Sequence, residues 1–131
     1  MDNTGISNVK RGVSIAADNA SVVINSSEIV ARYYGVTVGA SGVELSVNGG
    51  TVQGWAAIMF TANDWTVDRI KSNKGAVVNA QGAELVGRSI SDEGYGIVVV
   101  QQDYNGAELT FTDCTMLTTV EDGKTGAWQG G

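Results

Sequence analysis

Apolar residues alternate with small or polar residues over short segments along most of the chain. Between residues 35 and 50, Val36, Val38, Val43, Leu45 and Val47 alternate with small or polar residues, and glycines stand at the breaks. An apolar residue at every second position predicts β-strands with one buried face, because successive strand side chains point to opposite sides. The segments are short, so the pattern predicts many short strands joined by tight turns.

The same pattern recurs with a period of about 23 residues, which is in the range of known repeat architectures. Ile24 recurs as Val47, and the turn residue Asn25 recurs as Asn48 at the same spacing. Later copies, VVNAQGAELVG from residue 77 and LTFTDCTMLT from residue 109, are spaced more widely. The extra length falls at two places in each repeat. These places are therefore predicted to be corners, where added residues project outward without disturbing the core.

A repeat of this length, with short strands and no helical periodicity, predicts one coil of an all-β parallel β-helix. The chain is then one domain, residues 1–131, of about five coils stacked about 4.8 Å apart. Residues 62–74 are predicted to form a loop insertion at one corner. An antiparallel Greek-key sandwich is the main alternative, but it does not explain a register that strands and turns share.

Stacked coils predict four inward-facing ladders of apolar side chains. Their members are Val22, Leu45, Val78 and Leu109; Ile24, Val47, Ala80 and Phe111; Ile29, Val52, Leu85 and Met116; and Val13, Val36, Ile58 and Ile97. The two asparagines at the shared turn position, Asn25 and Asn48, are predicted to form a side-chain amide ladder. The alternative is that they are two unrelated turn residues.

The repeats, in which strands such as GVTV (residues 35–38) alternate with strands such as LSVNGGTV (residues 45–52), resemble the right-handed parallel β-helix proteins of the pectin-lyase-like group. The pattern of the repeats is most similar to that of the pertactin-like passenger domains of bacterial surface adhesins, the autotransporters. The resemblance extends from Asn3 to about Trp128. It implies a single-stranded, right-handed β-helix that is exported and works at the cell surface or outside the cell.

Composition and charge narrow the possible functions. The chain of 131 residues has a net charge of −6, 18 glycines, no proline, no histidine and one cysteine. The negative charge disfavours nucleic acid as a partner. No apolar run approaches the roughly 20 residues of a membrane span, so no membrane insertion is expected, and no signal sequence is visible. With one cysteine and no histidine, we expect no disulfide within the chain, no metal site and no cofactor.

Carboxylates are the candidate catalytic groups, because many β-helix proteins act on polysaccharides. Glu28 and Glu84 share a register, as do Glu44 and Glu108, but one coil separates the members of each pair. Two coils span about 10 Å, which exceeds the 6.5–9.5 Å of inverting glycosidases. We therefore expect solvated strand residues and no catalytic residues.

The insertion offers another set of charged residues. Asp64 and Asp68, with Arg69 and Lys71, have the residue types of a calcium or lyase site. Only one loop contributes them, so a charged, solvated loop is the favoured interpretation. Cys114 has no histidine to activate it as a nucleophile.

Aromatic residues recur at one predicted corner on three consecutive coils, with arginines beside them. The candidate ligand-binding residues are Tyr33, Tyr34, Trp55, Tyr95, Arg32 and Arg88. Rings with a polar group favour amphipathic partners, and Tyr and Arg are typical recognition residues. The alternative is that the rings shield the corner from water. Trp65 and Tyr104 are secondary candidates in the loops. The alternative is that Trp65, Val67 and Ile70 form a small satellite core that fixes the long loop.

The predicted function is a non-catalytic binding module of the adhesin type, which contacts a polysaccharide or a surface protein through the aromatic corner. The first alternative is a structural protein whose copies stack end to end through exposed coil ends, as a homo-oligomer or filament. The second alternative is a polysaccharide lyase or hydrolase.

Overall fold

The computed structural model describes residues 1–60, 75–90, 95–101 and 107–119. These residues form eleven β-strands and no helix. The strands are β1 (Gly5–Ile15), β2 (Ser21–Asn25), β3 (Glu28–Val38), β4 (Glu44–Asn48), β5 (Thr51–Gly54), β6 (Ala56–Phe60), β7 (Val77–Gln81), β8 (Glu84–Gly87), β9 (Ile97–Gln101), β10 (Glu108–Thr112) and β11 (Thr115–Thr118). The all-β prediction is confirmed for the described ranges.

The strands form two parallel sheets. Sheet A has the order β2-β4-β7-β10, and sheet B pairs β1 with β3, β3 with both β5 and β6, β5 with β8, β6 with β9, and β8 with β11. The chain passes between the sheets, so that strands of successive repeats become neighbours. The pairing is parallel throughout the described strands, and this excludes the antiparallel sandwich for them.

In the first repeats, residues that are one sequence period apart are paired in the sheets. Val22 pairs with Leu45, which is one period later, and Leu45 pairs with Val78 after a longer connection. Leu109 then pairs with Val78. The ladders that start at Val22, Ile24 and Ile29 are all paired as the sequence predicts. Their central members are fully buried and form most of the core.

The fourth predicted ladder is wrong at its last member. Val13, Val36 and Ile58 are paired in register, but Ile58 pairs with Val99, whereas Ile97 pairs with Ala56. Residues 88–96 lie between β8 and β9, where the preceding repeat has the single residue 55 between β5 and β6. The length of this insertion does not reveal where the strand resumes.

In the described ranges, the corner that leads from sheet A to sheet B has a left-handed residue at the same position of each repeat. These residues are Asn3, Ser26, Gly49, Gly82 and Asp113, with φ between 48° and 68°. A single left-handed residue between two extended segments turns the chain sharply, and Gly, Asn and Asp adopt this conformation at the lowest cost. The absence of proline from the sequence agrees with such corners, since proline has a fixed negative φ.

An amide ladder runs along this corner. The Asn48 Nδ2 group donates to Asn25 Oδ1 at 2.9 Å, and Asn25 Nδ2 donates to Asp2 Oδ1 at 2.7 Å. The prediction of an Asn25–Asn48 ladder is therefore confirmed, and Asp2 extends it by one repeat. Hydrogen bonds between equivalent side chains help to fix the register, because a one-residue slip would separate them.

Candidate functional site

Sheet B bends where the aromatic candidates lie. The first half of β3 pairs with β5 and the second half pairs with β6, and Trp55 stands alone between these two strands. We call this region the aromatic bend and define it by the residues Arg32, Tyr33, Tyr34, Trp55, Arg88 and Tyr95. It lies within sheet B, where β3 changes its partner from β5 to β6.

Glycines let the backbones of successive repeats approach closely under the bend. A Cβ atom built on Gly35 would lie 2.6 Å from the carbonyl oxygen of Ala57, and one on Gly54 would lie 2.7 Å from the nitrogen of Gly35. No side chain fits at such distances, so these positions require glycine. The backbones of adjacent repeats are therefore in close contact under the bend.

The two tyrosines form the centre of the bend. The ring centroids of Tyr33 and Tyr34 are 6.4 Å apart with an interplanar angle of 57°. The guanidinium group of Arg32 lies 5.3 Å from the Tyr33 centroid, and that of Arg11 lies 5.5 Å from the Tyr34 centroid. Both rings are half-buried and both arginines are exposed. Four planar groups thus lie in the sequence Arg11, Tyr34, Tyr33, Arg32 across the surface.

The guanidinium groups of Arg11 and Arg32 each lie over the face of a tyrosine ring, which is the geometry of a cation–π contact. Each such contact contributes about 0.5–1 kcal/mol at an exposed site, which holds the long arginine side chains in place. The result is a surface that combines aromatic rings with positive charge.

Trp55 connects three repeats through its backbone. Its N–H donates to the carbonyl oxygen of Arg32 at 3.2 Å, and its carbonyl oxygen accepts from the N–H of Ile97 at 2.8 Å. The side chain is half-buried, and its Nε1 is buried with no hydrogen-bond partner among the described residues. Because its indole nitrogen is buried, Trp55 contributes more to packing than to polar contacts with a ligand.

The other two candidates lie beside the bend but outside the tyrosine cluster. The Arg88 N–H donates to the carbonyl oxygen of Gly54 at 2.8 Å, which brings Arg88 next to Trp55. The side chain of Tyr95 is 39% exposed. Within the described ranges, neither side chain contacts the rings of Tyr33 or Tyr34. The structure therefore brings the two tyrosines together with Arg32, and leaves Tyr95 and Arg88 apart from them.

Sequence reasoning missed Arg11. It pairs with Tyr34 across β1 and β3, and these two residues are one period apart in the sequence. The period alone was enough to place Arg11 at the bend, because equivalent positions of successive repeats are neighbours. Arg11 is exposed and stands above the ring that Arg32 does not cover.

A groove opens next to Arg32, where β1 is irregular. The pairing of β1 with β3 shifts on both sides of Val9, and Asn8 has a left-handed backbone with φ of 59°. The groove has a volume of about 400 Å³ and is lined by Asn8, Val9, Lys10, Val30, Ala31 and Arg32. Its size is that of small-ligand sites. A smaller groove of about 250 Å³ continues past Val30 towards Glu28.

Positive charge is concentrated near the bend. The cationic side chains in the described part of the chain are Lys10, Arg11, Arg32 and Arg88. The described carboxylates are Asp2, Asp18, Glu28, Glu44, Glu84, Glu108 and Asp113. Three of the four described cationic side chains, Lys10, Arg11 and Arg32, thus lie on the paired strands β1 and β3, which carry the two tyrosines. Such a surface favours ligands with anionic or strongly polar groups.

The carboxylates are arranged as the sequence predicts. Thr51 pairs with both Glu28 and Glu84 and separates them. Val77 separates Glu44 from Glu108 in the same way. No group of three or more potential metal ligands occurs in the described ranges. Asp64, Asp68, Trp65 and Tyr104 lie outside the described residues, as does the insertion 62–74.

Cys114 has a structural place at the left-handed corner. Its thiol donates to the carbonyl oxygen of Thr112 at 3.5 Å. Ser27 has the same position in an earlier repeat, and its hydroxyl donates to the carbonyl oxygen of Asn25 at 3.0 Å. The two side chains therefore make equivalent local hydrogen bonds in different repeats.

No helix in the described ranges has the length and apolar character of a bilayer-crossing helix.

No protein-family model matches the chain, and neither a curated protein nor a solved structure matches it at a significant level. The function is therefore argued from the residues and geometry of the chain itself.

Proposed function

We propose that the chain winds as a single-stranded, right-handed parallel β-helix of about five coils. The support is the parallel, in-register pairing of successive repeats in both sheets, with corners at equivalent positions. Right-handedness is the general preference of parallel crossover connections, and it is also implied by the resemblance to the pectin-lyase-like group.

On this scaffold, the chain acts as a non-catalytic binding module at a cell surface or outside the cell. Its ligand is a carbohydrate, with a surface protein as the second choice, and the aromatic bend contacts it. The observation that carries the proposal is the Tyr33–Tyr34 pair between the guanidinium groups of Arg32 and Arg11, at the edge of a groove. The extracellular location follows from the resemblance of the repeats to surface passenger domains.

A carbohydrate suits this surface for two reasons. Sugar rings offer apolar C–H faces for the tyrosine rings and hydroxyl groups for the polar ends of the same side chains, so one ligand suits both parts of the cluster. The cluster stands on paired parallel strands, and little conformational entropy is lost when such a rigid surface binds. A binding site built on a sheet is also more precise than one built on a loop.

The test is binding of the labelled full chain to an array of immobilised oligosaccharides. We expect the double substitution Tyr33→Ala and Tyr34→Ala to weaken binding by about 30-fold, the effect of losing about 2 kcal/mol at a central contact. Val23→Ala is the matched control, because Val23 is 42% exposed on sheet A and lies far from the bend in its repeat. The control should bind like the original chain.

Two results would count against the proposal. Equal binding by the double variant and the control would remove the aromatic bend as the site. If the chain binds no oligosaccharide on the array but still binds to cells whose glycans have been oxidised with periodate, its ligand is a surface protein instead. Urea unfolding of the double variant shows whether lost binding reflects lost folding.

A further inference from the structure

Asn48 is followed directly by Gly49, and this dipeptide is prone to a spontaneous chemical change. The backbone nitrogen of the residue after an asparagine can attack the carbon of the side-chain amide, and a side chain on that residue hinders the attack. Glycine has no side chain and leaves the nitrogen open. In the described ranges, Asn48 is the only asparagine that precedes a glycine, and Asn105, which precedes Gly106, lies outside them.

The reaction is a deamidation, and its balance involves only the chain and water. The Gly49 nitrogen loses its proton and bonds to the Asn48 Cγ, and the amide nitrogen leaves as ammonia. The product is a cyclic succinimide. Water then opens the ring at one or the other carbonyl group, which gives aspartate or isoaspartate. In isoaspartate the backbone runs through the side-chain carbon and is longer by a methylene group.

In the folded chain, hydrogen bonds to both neighbouring repeats hold the reacting groups. The Gly49 N–H donates to the carbonyl oxygen of Gln81 at 2.8 Å, in the repeat that follows. The Asn48 Nδ2 group donates to Asn25 Oδ1 at 2.9 Å, in the repeat that precedes. The carbonyl oxygen of Asn48 also accepts from the Ser26 N–H at 2.8 Å. The attack therefore requires this corner to open on both sides.

The backbone conformation keeps the same groups apart. Asn48 is the last residue of β4, so its backbone is extended and its side chain stands out of the sheet. The Gly49 N–H instead points along the stack, where it makes its hydrogen bond to Gln81. Ring closure requires the backbone between Asn48 and Gly49 to rotate. The close packing of Gly50 restrains this rotation, because an added Cβ there would overlap the backbone of Ser27.

Either product disrupts the stacking of the corner. Aspartate at position 48 lacks the Nδ2 donor, so its carboxylate faces the Asn25 Oδ1 acceptor and the amide ladder is broken. Isoaspartate lengthens the backbone at the corner, so the residues before and after it no longer align with both neighbouring repeats. A chain that has reacted therefore does not restore the original stacking.

From these contacts we infer that Asn48 is a deamidation site that the folded corner protects and that opening of the corner exposes. The reaction is then a one-way mark on chains whose repeats have separated between β4 and β5, because the product does not fit back into the stack. The corner is distinct from the aromatic bend, so the site does not depend on the proposed ligand.

The first test compares the folded and the unfolded full chain in a mildly alkaline buffer, without and with guanidinium chloride. Mass spectrometry of proteolytic peptides follows the change from amide to acid at each asparagine. Opening a corner in the middle of the stack costs much of the free energy of global unfolding, so we expect Asn48 to react at least about 100-fold more slowly in the folded chain. In the denaturant, Asn48 should react as fast as Asn105, and Asn25 should react more slowly because Ser26 carries a side chain.

The second test changes how often the corner opens. A Cβ on Gly50 would overlap Ser27, so Gly50→Ala should loosen the corner and make Asn48 react at least about 10-fold faster in native buffer. Gly5→Ala is the matched control, because a Cβ on Gly5 meets no heavy atom within 4 Å, and the rate at Asn48 should not change. If circular dichroism shows that Gly50→Ala has lost its strands, the original chain at intermediate denaturant concentrations replaces it, and the rate should rise with the unfolded fraction.

The inference is overturned if Asn48 reacts as fast in native buffer as in guanidinium chloride, or if it stays intact in the denaturant while Asn105 reacts. Equal rates in folded Gly50→Ala and Gly5→Ala would also overturn it. The denaturant is finally removed from chains that carry isoaspartate at position 48. We expect them to regain less strand signal than fresh chains, and complete refolding would contradict the one-way mark.

Discussion

Two neighbouring glycines at the corner between β4 and β5 provide a stability test of corner stacking. Gly49 and Gly50 both have a left-handed backbone, with φ of 68° and 75°. Replacement by alanine imposes the same type of conformational cost on both, about 1–2 kcal/mol for an L-residue in this region. The surroundings of the two Cβ atoms differ.

The structure assigns a steric penalty to only one of them. A Cβ on Gly49 would lie 3.6 Å from the Ser26 Oγ, which is an ordinary contact. A Cβ on Gly50 would overlap the backbone of Ser27 in the adjacent repeat. Forcing an extra methyl group into a packed site costs a further 1–3 kcal/mol or so. We expect Gly49→Ala to cost about 1 kcal/mol and Gly50→Ala about 3 kcal/mol or more.

Urea denaturation followed by circular dichroism measures the difference. With a slope of about 2 kcal/mol per molar urea, the midpoint should fall by about 0.5 M for Gly49→Ala and by about 1.5 M for Gly50→Ala. Gly49→Asn is a further control and should be nearly neutral, because Asn3 holds the equivalent corner position in the same conformation. If Gly50→Ala is no more destabilising than Gly49→Ala, repeats do not stack at the distance described above, and the reasoning fails.

Three further substitutions test the core, the amide ladder and the bend. Leu45→Ala should lower the free energy of unfolding by about 2–5 kcal/mol, because Leu45 is only 1% exposed. Leu109→Ala should lower it by less, because Leu109 is half-buried, and urea unfolding of the two variants compares them. Asn48→Ala should cost about 1 kcal/mol by the same assay, because a ladder hydrogen bond is lost, and no change would deny the ladder a role in stability. Arg11→Lys keeps the charge but removes the planar group over Tyr34, so oligosaccharide binding should weaken several-fold, and unaltered affinity would show that Arg11 does not take part.

The repeat register was accessible from the sequence, because the period acts on strands and corners together. The constant spacing of the first repeats placed Ile24 over Val47 and Asn25 over Asn48, and the structure pairs both. In a parallel stack, equal positions of successive repeats become neighbours, so a constant period determines side-chain partners directly.

The register was not accessible after the insertion between β8 and β9. Ile97 was assigned to the ladder of Ile58, but Val99 takes that place. The number of residues between β8 and β9 does not show which residue of β9 pairs with Ile58. Alternation is no guide here, since Ile97, Val98 and Val99 are all apolar and either register places such a residue opposite Ile58.

The candidate site was accessible in part. Arg32 and the two tyrosines are consecutive in the sequence, and the period could also have placed Arg11 beside Tyr34. The contacts of the guanidinium groups with the rings depend on side-chain conformations, and the groove around Asn8 depends on an irregular pairing of β1 with β3. Neither can be predicted from the pattern of apolar residues.

The central claim is that one bend, built from distant parts of the chain, holds the ligand. The most direct measurement is a titration of the ¹⁵N-labelled chain with the oligosaccharide that binds best on the array, followed by amide chemical shifts. The account predicts that the largest shifts occur together at residues 11, 32–35 and 54–56, which are close only in the folded chain. Shifts confined to the opposite corner, around Ser26 and Gly49, would contradict it.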